Sequence, residues 1–102
     1  MSIFLSIASF LDPTLTRTIR SAMDNADNPE ALVFGLGLQY WEDPDLSEFP
    51  ESQIRKLSWK PDNRPGLVKI RYEISRLLED EDYFLELDSH MRFSPGWDTD
   101  LV

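Results

Sequence analysis

The residue types best suited to chemistry stand at the end of one apolar run: Tyr83 to His90, YFLELDSH, closes on Asp88-Ser89-His90. Residues two apart on an extended backbone share a face, so Asp88 and His90 would present a carboxylate and an imidazole to the same side. Two such hard-to-borderline ligands leave several coordination positions open. They suit a manganese or magnesium ion that also grips a diphosphate. The plainer alternative is a strand-end Asp capping a turn beside a surface His, because a D-x-H triplet arises often by chance.

Other candidates are more dispersed. Arg64-Pro65-Gly66 offers a guanidinium and free amides just before a helix, where a phosphate is readily held, or else an ordinary turn with a solvated Arg. Ser9 and Gln39 close the first two apolar runs, at the sheet edge where open α/β folds bind ligands. Each is equally a polar residue leaving a strand. Lys69 and Arg76 lie on a solvated helical face, and Trp41, Trp59 and Trp97 read as packing residues. There is no carboxylate pair with glycosidase spacing, serine elbow or G-x-x-x-x-G-K-[ST] loop, which disfavours hydrolase and nucleotide-triphosphatase readings.

The elements that must position these residues alternate between strand and helix. Ile3 to Ala8 is a short, branched run of the kind buried on both faces of a parallel sheet. Asp12-Pro13 then opens a helix, Asp12 as cap and Pro13 in the first turn, with Leu15, Ile19, Ala22, Met23 and Ala26 facing inward. Ala31 to Gln39 is a second strand, whose Gly35 and Gly37 imply a close approach on one face. Tyr40 to Ser52 is a long acidic loop. Ile54 to Trp59 forms a short third strand, and a second helix carries Leu67, Ile70, Ile74, Leu77 and Leu78 as its apolar stripe. The D-x-H strand follows, and Trp97 begins a last helical turn.

The chain has 102 residues, the size of one domain, with 41% apolar residues and a formal charge of -9. No basic block is dense enough to follow a phosphate backbone, so nucleic acid is not an expected partner. An anionic ligand would need local help from a cation or from helix amino-termini. Cysteine is absent, which removes disulfides, thiolate zinc sites and cysteine nucleophiles, and nothing marks an oxidising compartment. SIFLSIASFL lacks the positive flank of a signal peptide and no run is long enough to span a membrane, so a cytoplasmic protein without a membrane partner is expected.

Taken together, SIASFLDP, TLTRTIRSAM, NPEALVFGLGLQ, RPGLVKIRYEIS and DYFLELDSHMRFSPGWD resemble, in order from Ile3 to Asp98, the GlcNAc-transferase family that includes the cytoplasmic Skp1 hydroxyproline N-acetylglucosaminyltransferases. RPGLVKIR, then LDSH and GW, look more distantly like the polypeptide N-acetylgalactosaminyltransferases. DSHMRF-x-PGWD is the specific part.

The resemblance implies a GT-A fold: a Rossmann-like nucleotide-sugar half, with a mostly parallel sheet flanked by helices and cut short after the D-x-H strand, over residues 1–102. It implies a metal-dependent glycosyltransferase using a UDP-sugar, with UDP-N-acetylglucosamine the favoured donor and a hydroxyl, such as one on a protein, the acceptor. Asp88 and His90 match the metal-binding positions, manganese being favoured over magnesium. Arg64 and Arg71 match basic positions near the nucleotide, and Ser9 and Gln39 fall near the uridine pocket.

The family's domain continues past this strand into an acceptor half with a further metal ligand. The 102-residue chain alone is therefore expected to transfer no sugar, and a homo-oligomer or partner to cover its open edge. A non-catalytic binding or structural module retaining the fold is the other class that these residues allow.

Overall fold

Four runs pair into one sheet because each is apolar or alternating over five to eight residues, too short for a buried helix but sufficient for a strand. The computed structural model describes residues 1–63 and 66–101. Its elements are β1 (Ile3–Phe10), α1 (Leu15–Asn25), β2 (Leu32–Gln39), β3 (Ile54–Trp59), α2 (Leu67–Ser75), β4 (Tyr83–Leu87) and α3 (Trp97–Leu101). The strands lie in the order β3-β2-β1-β4 and are all parallel. This is the expected α/β, Rossmann-like arrangement, with helices packed on the sheet.

Alternation along the strands divides the interior in two. Ile3, Leu5 and Ile7 of β1, with Phe34, Leu36 and Leu38, meet Leu15, Ile19 and Ala22 of α1 and Trp97 of α3. On the other face Phe4 meets Ile70 and Ile74 of α2, joined by Val33 and Trp59. The glycines of β2 explain how close α2 lies. A Cβ on Gly37 would stand 2.8 Å from both Ile70 Cγ2 and Ile74 Cδ1, and one on Gly35 would collide with the Phe4 ring. Without side chains at these two positions, the branched residues of α2 settle directly on the sheet.

Several local expectations are revised. The D-x-H strand ends at Leu87, leaving Asp88 and the bend at Ser89 and His90 beyond the ladder. Helix α1 starts two residues after Pro13, and Thr14, in its cap position, makes no side-chain capping bond. Asp12 instead folds its carboxylate onto the Thr14 amide and hydroxyl, an Asx turn that leads into the helix. Leu67 and Leu78 do not join the buried stripe of α2, being 57% and 37% exposed. Trp41 is 58% exposed and packs nothing away, unlike the buried Trp97. No described helix is long and apolar enough to cross a membrane.

Candidate functional site at the carboxyl edge of the sheet

Connection order makes one place in this sheet different from the rest. From β1 the chain moves to β2 and β3 on one side, then crosses back over α2 to β4 on the other. The carboxyl ends of β1 and β4 therefore flank the point where the winding reverses, the place where open α/β sheets characteristically bind ligands. The residues that follow β1 are Leu11 and Asp12; those that follow β4 are Asp88, Ser89 and His90.

Two turns bring these groups together. At the end of β1, Leu11 adopts φ 52°, a left-handed conformation costing a branched residue on the order of 1 kcal/mol. Its amide donates to the carbonyl of Gln39 at 3.1 Å, so the chain bends over the end of β2 before reaching Asp12. The Tyr40 hydroxyl donates to the Asp12 carbonyl at 2.7 Å. With that proton committed, the 2.5 Å contact between Tyr40 and Ser9 is made by the Ser9 hydroxyl donating to the phenol oxygen. Burial, chiefly, raises the Tyr40 phenol above its ordinary value, which keeps it a donor at neutral pH.

At the end of β4 the middle residue of the triplet is the anchored one. Ser89 is buried; its hydroxyl donates to Asp12 Oδ2 at 2.6 Å, and its carbonyl accepts the Thr18 hydroxyl of α1 at 2.7 Å. Thr18 in turn accepts the Met91 amide at 3.0 Å, and Ser21, one turn on, accepts the Phe93 amide at 3.0 Å. With Ser89 held inward, Asp88 and His90 on either side are exposed. His90 Nδ1 lies 3.4 Å from Asp12 Oδ2. Burial works against ionisation of Asp12, yet the hydroxyls of Ser89 and Thr14, the Thr14 amide and His90 outweigh it and hold the carboxyl at about 2.

The segment beyond the triplet is fastened too. Trp97 Nε1 donates to the Ala22 carbonyl at 2.9 Å, and the Trp97 ring packs against Phe93 with centroids 4.7 Å apart. The buried Asp98 carboxylate accepts the amides of Asp27 and Asn28 at 2.8 and 2.9 Å. The PGWD motif thus clamps the chain after His90 to the end of α1.

Of the residues singled out from the sequence, Ser9 and His90 are linked at this edge through Tyr40 and Asp12, and the exposed Asp88 precedes the Ser89 that Asp12 anchors. Gln39 lies at the same edge, paired in register with Phe10 and Trp59, and is buried. Arg71 does not join them: it sits on α2, on the other side of the sheet, with Nη1 3.7 Å from Glu86 of β4. Arg64 lies outside the described residues. The role of Asp12 was hidden in the sequence, where a D-P pair reads as a helix start; only the contact across 77 positions to Ser89 shows otherwise. Tyr40 gave no signal beyond following a strand.

The ligand set fits a hard divalent cation in type and exposure. Among the described residues, the one close group of three possible ligands is Glu79, Asp80 and Glu81, which precedes β4 at the opposite edge. There Arg55 pairs with Glu81 at 2.9 Å and with Glu79 at 3.3 Å, so one guanidinium offsets part of that cluster's charge. A cation at Asp88 and His90 would complete its shell with ligand oxygens and water.

Comparison with known proteins bears directly on this edge. No curated protein and no solved structure matches the chain. The family model described as Glycosyltransferase (GlcNAc) matches residues 41–102, which include α2, β4, the Asp88-Ser89-His90 turn and the Trp97-Asp98 clamp. With more than half of its length matched, this chain belongs to the glycosyltransferase (GlcNAc) family.

Proposed function

We propose that the chain forms the donor-binding part of a metal-dependent glycosyltransferase of the GT-A type, taking a UDP-sugar, with UDP-N-acetylglucosamine favoured, for transfer to a hydroxyl such as one on a protein. The observation that carries this reading is the exposure of Asp88 and His90 on both sides of the anchored Ser89, at the point between β1 and β4 where the winding of the sheet reverses. A divalent cation, manganese in preference to magnesium, would there neutralise the charge developing on the departing diphosphate.

The chain's own groups do the positioning. Asp12 holds the Ser89 hydroxyl and the His90 ring, and so fixes the turn on which both ligands ride. Ser9 and Tyr40 hold the end of β1 against that of β2, where a base and ribose would lie. Gln39 borders the same edge. Arg64, from the segment leading into α2, is assigned to the nucleotide by its match to the family's basic position; Arg71, on the other side of the sheet beside Glu86, is left out of the proposed site.

The test is titration of manganese and UDP into the 102-residue chain, followed by tryptophan fluorescence and by amide shifts near Asp88. Metal-dependent UDP binding that disappears in His90→Ala is the expected result. Signals unchanged at millimolar ligand, or binding indifferent to His90→Ala, would instead leave a module that keeps the fold without the donor site.

A further inference from the structure

Beside the donor edge, helix α1 and the segment following β4 enclose an open cleft of about 410 Å³. Arg17, Arg20 and Arg92 line it, with His90 among its lining residues and Asp24 the one acidic side chain in the lining. In a chain with 19 acidic and 10 basic residues, three guanidiniums against Asp24 and the Glu48 that pairs with Arg20 leave the cleft one net positive charge. Arg20 is engaged by Glu48 at 2.7 Å. Arg17 and Arg92 are exposed and have no ion-pair partner among the described residues.

The form of the cleft separates two kinds of anion. One kind of phosphate cradle is built from converging backbone amides, and that kind has no free amides at Met91 and Phe93, which the hydroxyls of Thr18 and Ser21 take. What remains is guanidiniums spread along a groove, Arg17 and Arg20 one turn apart on α1 and Arg92 on the facing segment. From Thr14 to Asp24 the helix runs roughly 15 Å, the length of four or five extended residues. Met91 adds an apolar surface between the charges. A long polyanion would meet the repulsion of the acidic remainder, whereas a short carboxylate-bearing segment would meet only the reversed patch.

We infer that the cleft between α1 and residues 90–92 is a docking groove for a short acidic polypeptide segment, paired with Arg17 and Arg92 and ending beside His90. Where the donor reading above holds, and resting on it, the segment would belong to the acceptor, with its acidic residues flanking the hydroxyl.

The experiment uses the whole chain and a labelled six-residue peptide containing glutamates, with the same peptide carrying glutamines as control. Anisotropy gives affinity, and amide shifts at Arg17, Met91 and Arg92 give location. The acidic peptide should bind more weakly as salt is raised and the glutamine peptide should not bind. Arg17→Ala combined with Arg92→Ala should weaken binding roughly threefold to tenfold, the range for two exposed ion pairs. Asp24→Asn should strengthen it. Both arginines are exposed, and near-ultraviolet circular dichroism checks that the fold is kept.

Equal binding of the glutamine peptide, no binding at millimolar peptide, or indifference to the arginine substitutions overturns the proposal. Displacement by pyrophosphate at concentrations below those of the peptide reassigns the cleft to phosphate and overturns it as well. Manganese binding measured on the same samples reports on the donor reading separately: its loss with peptide binding retained condemns that reading alone.

Discussion

Replacing Asp12 by alanine tests the connection on which the candidate site depends. The carboxylate accepts the Ser89 hydroxyl at 2.6 Å and the Thr14 hydroxyl and amide at 2.6 and 2.8 Å, and faces His90 at 3.4 Å. Hydrogen bonds to a charged acceptor contribute about 1.5–3 kcal/mol each when both partners are withdrawn from water. Thr14 is only partly buried and recovers much of its loss by hydration, whereas the buried Ser89 hydroxyl does not. Asp12→Ala should therefore cost about 2 kcal/mol, near 10 °C in melting temperature for a domain of this size. Asp12→Asn keeps an acceptor for Thr14 and a polar group for Ser89, and should cost about half as much.

Thermal melts followed by circular dichroism measure both variants, and manganese titration on the folded proteins measures the consequence for the turn. Loss of a group that orients a metal ligand typically weakens metal binding tenfold or more, and the alanine variant should show about that change. A melt within roughly 0.5 kcal/mol of the parent would refute the claim that Asp12 ties the two turns together. An unaltered manganese affinity alongside a lowered melt would confine Asp12 to the fold.

Two further outcomes follow from the packing. Gly37→Ala sets a methyl 2.8 Å from Ile70 and Ile74, and should lower stability by about 1–3 kcal/mol in chemical denaturation while leaving the carboxyl edge intact. Burial opposes ionisation of Asp98, but the amides of Asp27 and Asn28 hold its carboxyl below the ordinary value. The stability it gives is thus complete above about pH 4 and is lost as acidity carries the solution down through its lowered value. Asp98→Asn should accordingly destabilise at neutral pH and show a flatter decline below pH 4 than the parent; parallel acid profiles would count against the clamp.

How much could be read from the chain depended on whether the information was local. The four strands and the two-sided interior follow from runs such as IFLSIASF and LVFGLGLQ, and the close approach at Gly35 and Gly37 follows from glycines placed where strand side chains belong. Helical spacing identifies Ile70 and Ile74 as one face of α2 but does not fix the helix's ends: the helix stops at Ser75, before Leu78, and Leu67 in its first turn is exposed. Asp88 and His90 were legible as candidates because the ligand types stand two apart. Asp12 and Tyr40 were not, because their partners come from strands brought alongside only by the fold. The left-handed turn at Leu11 carried no signal either, since neither glycine nor asparagine occupies it.

The residue that positions the proposed site is the one of the triplet without metal chemistry. Were Ser89 apolar, the turn after Leu87 could still bury its middle position, but nothing would bind it to Asp12, and His90 would be placed only by its own exposed ring. The hydroxyl gives that position a fixed partner on β1's side of the winding reversal and another, through its carbonyl, on α1. Movement of either element would then shift Asp88 and His90 together. The same anchoring sets His90 at the head of the arginine-lined cleft, so donor and acceptor, as proposed, would be brought together by one turn whose position is fixed from both strands that flank the winding reversal.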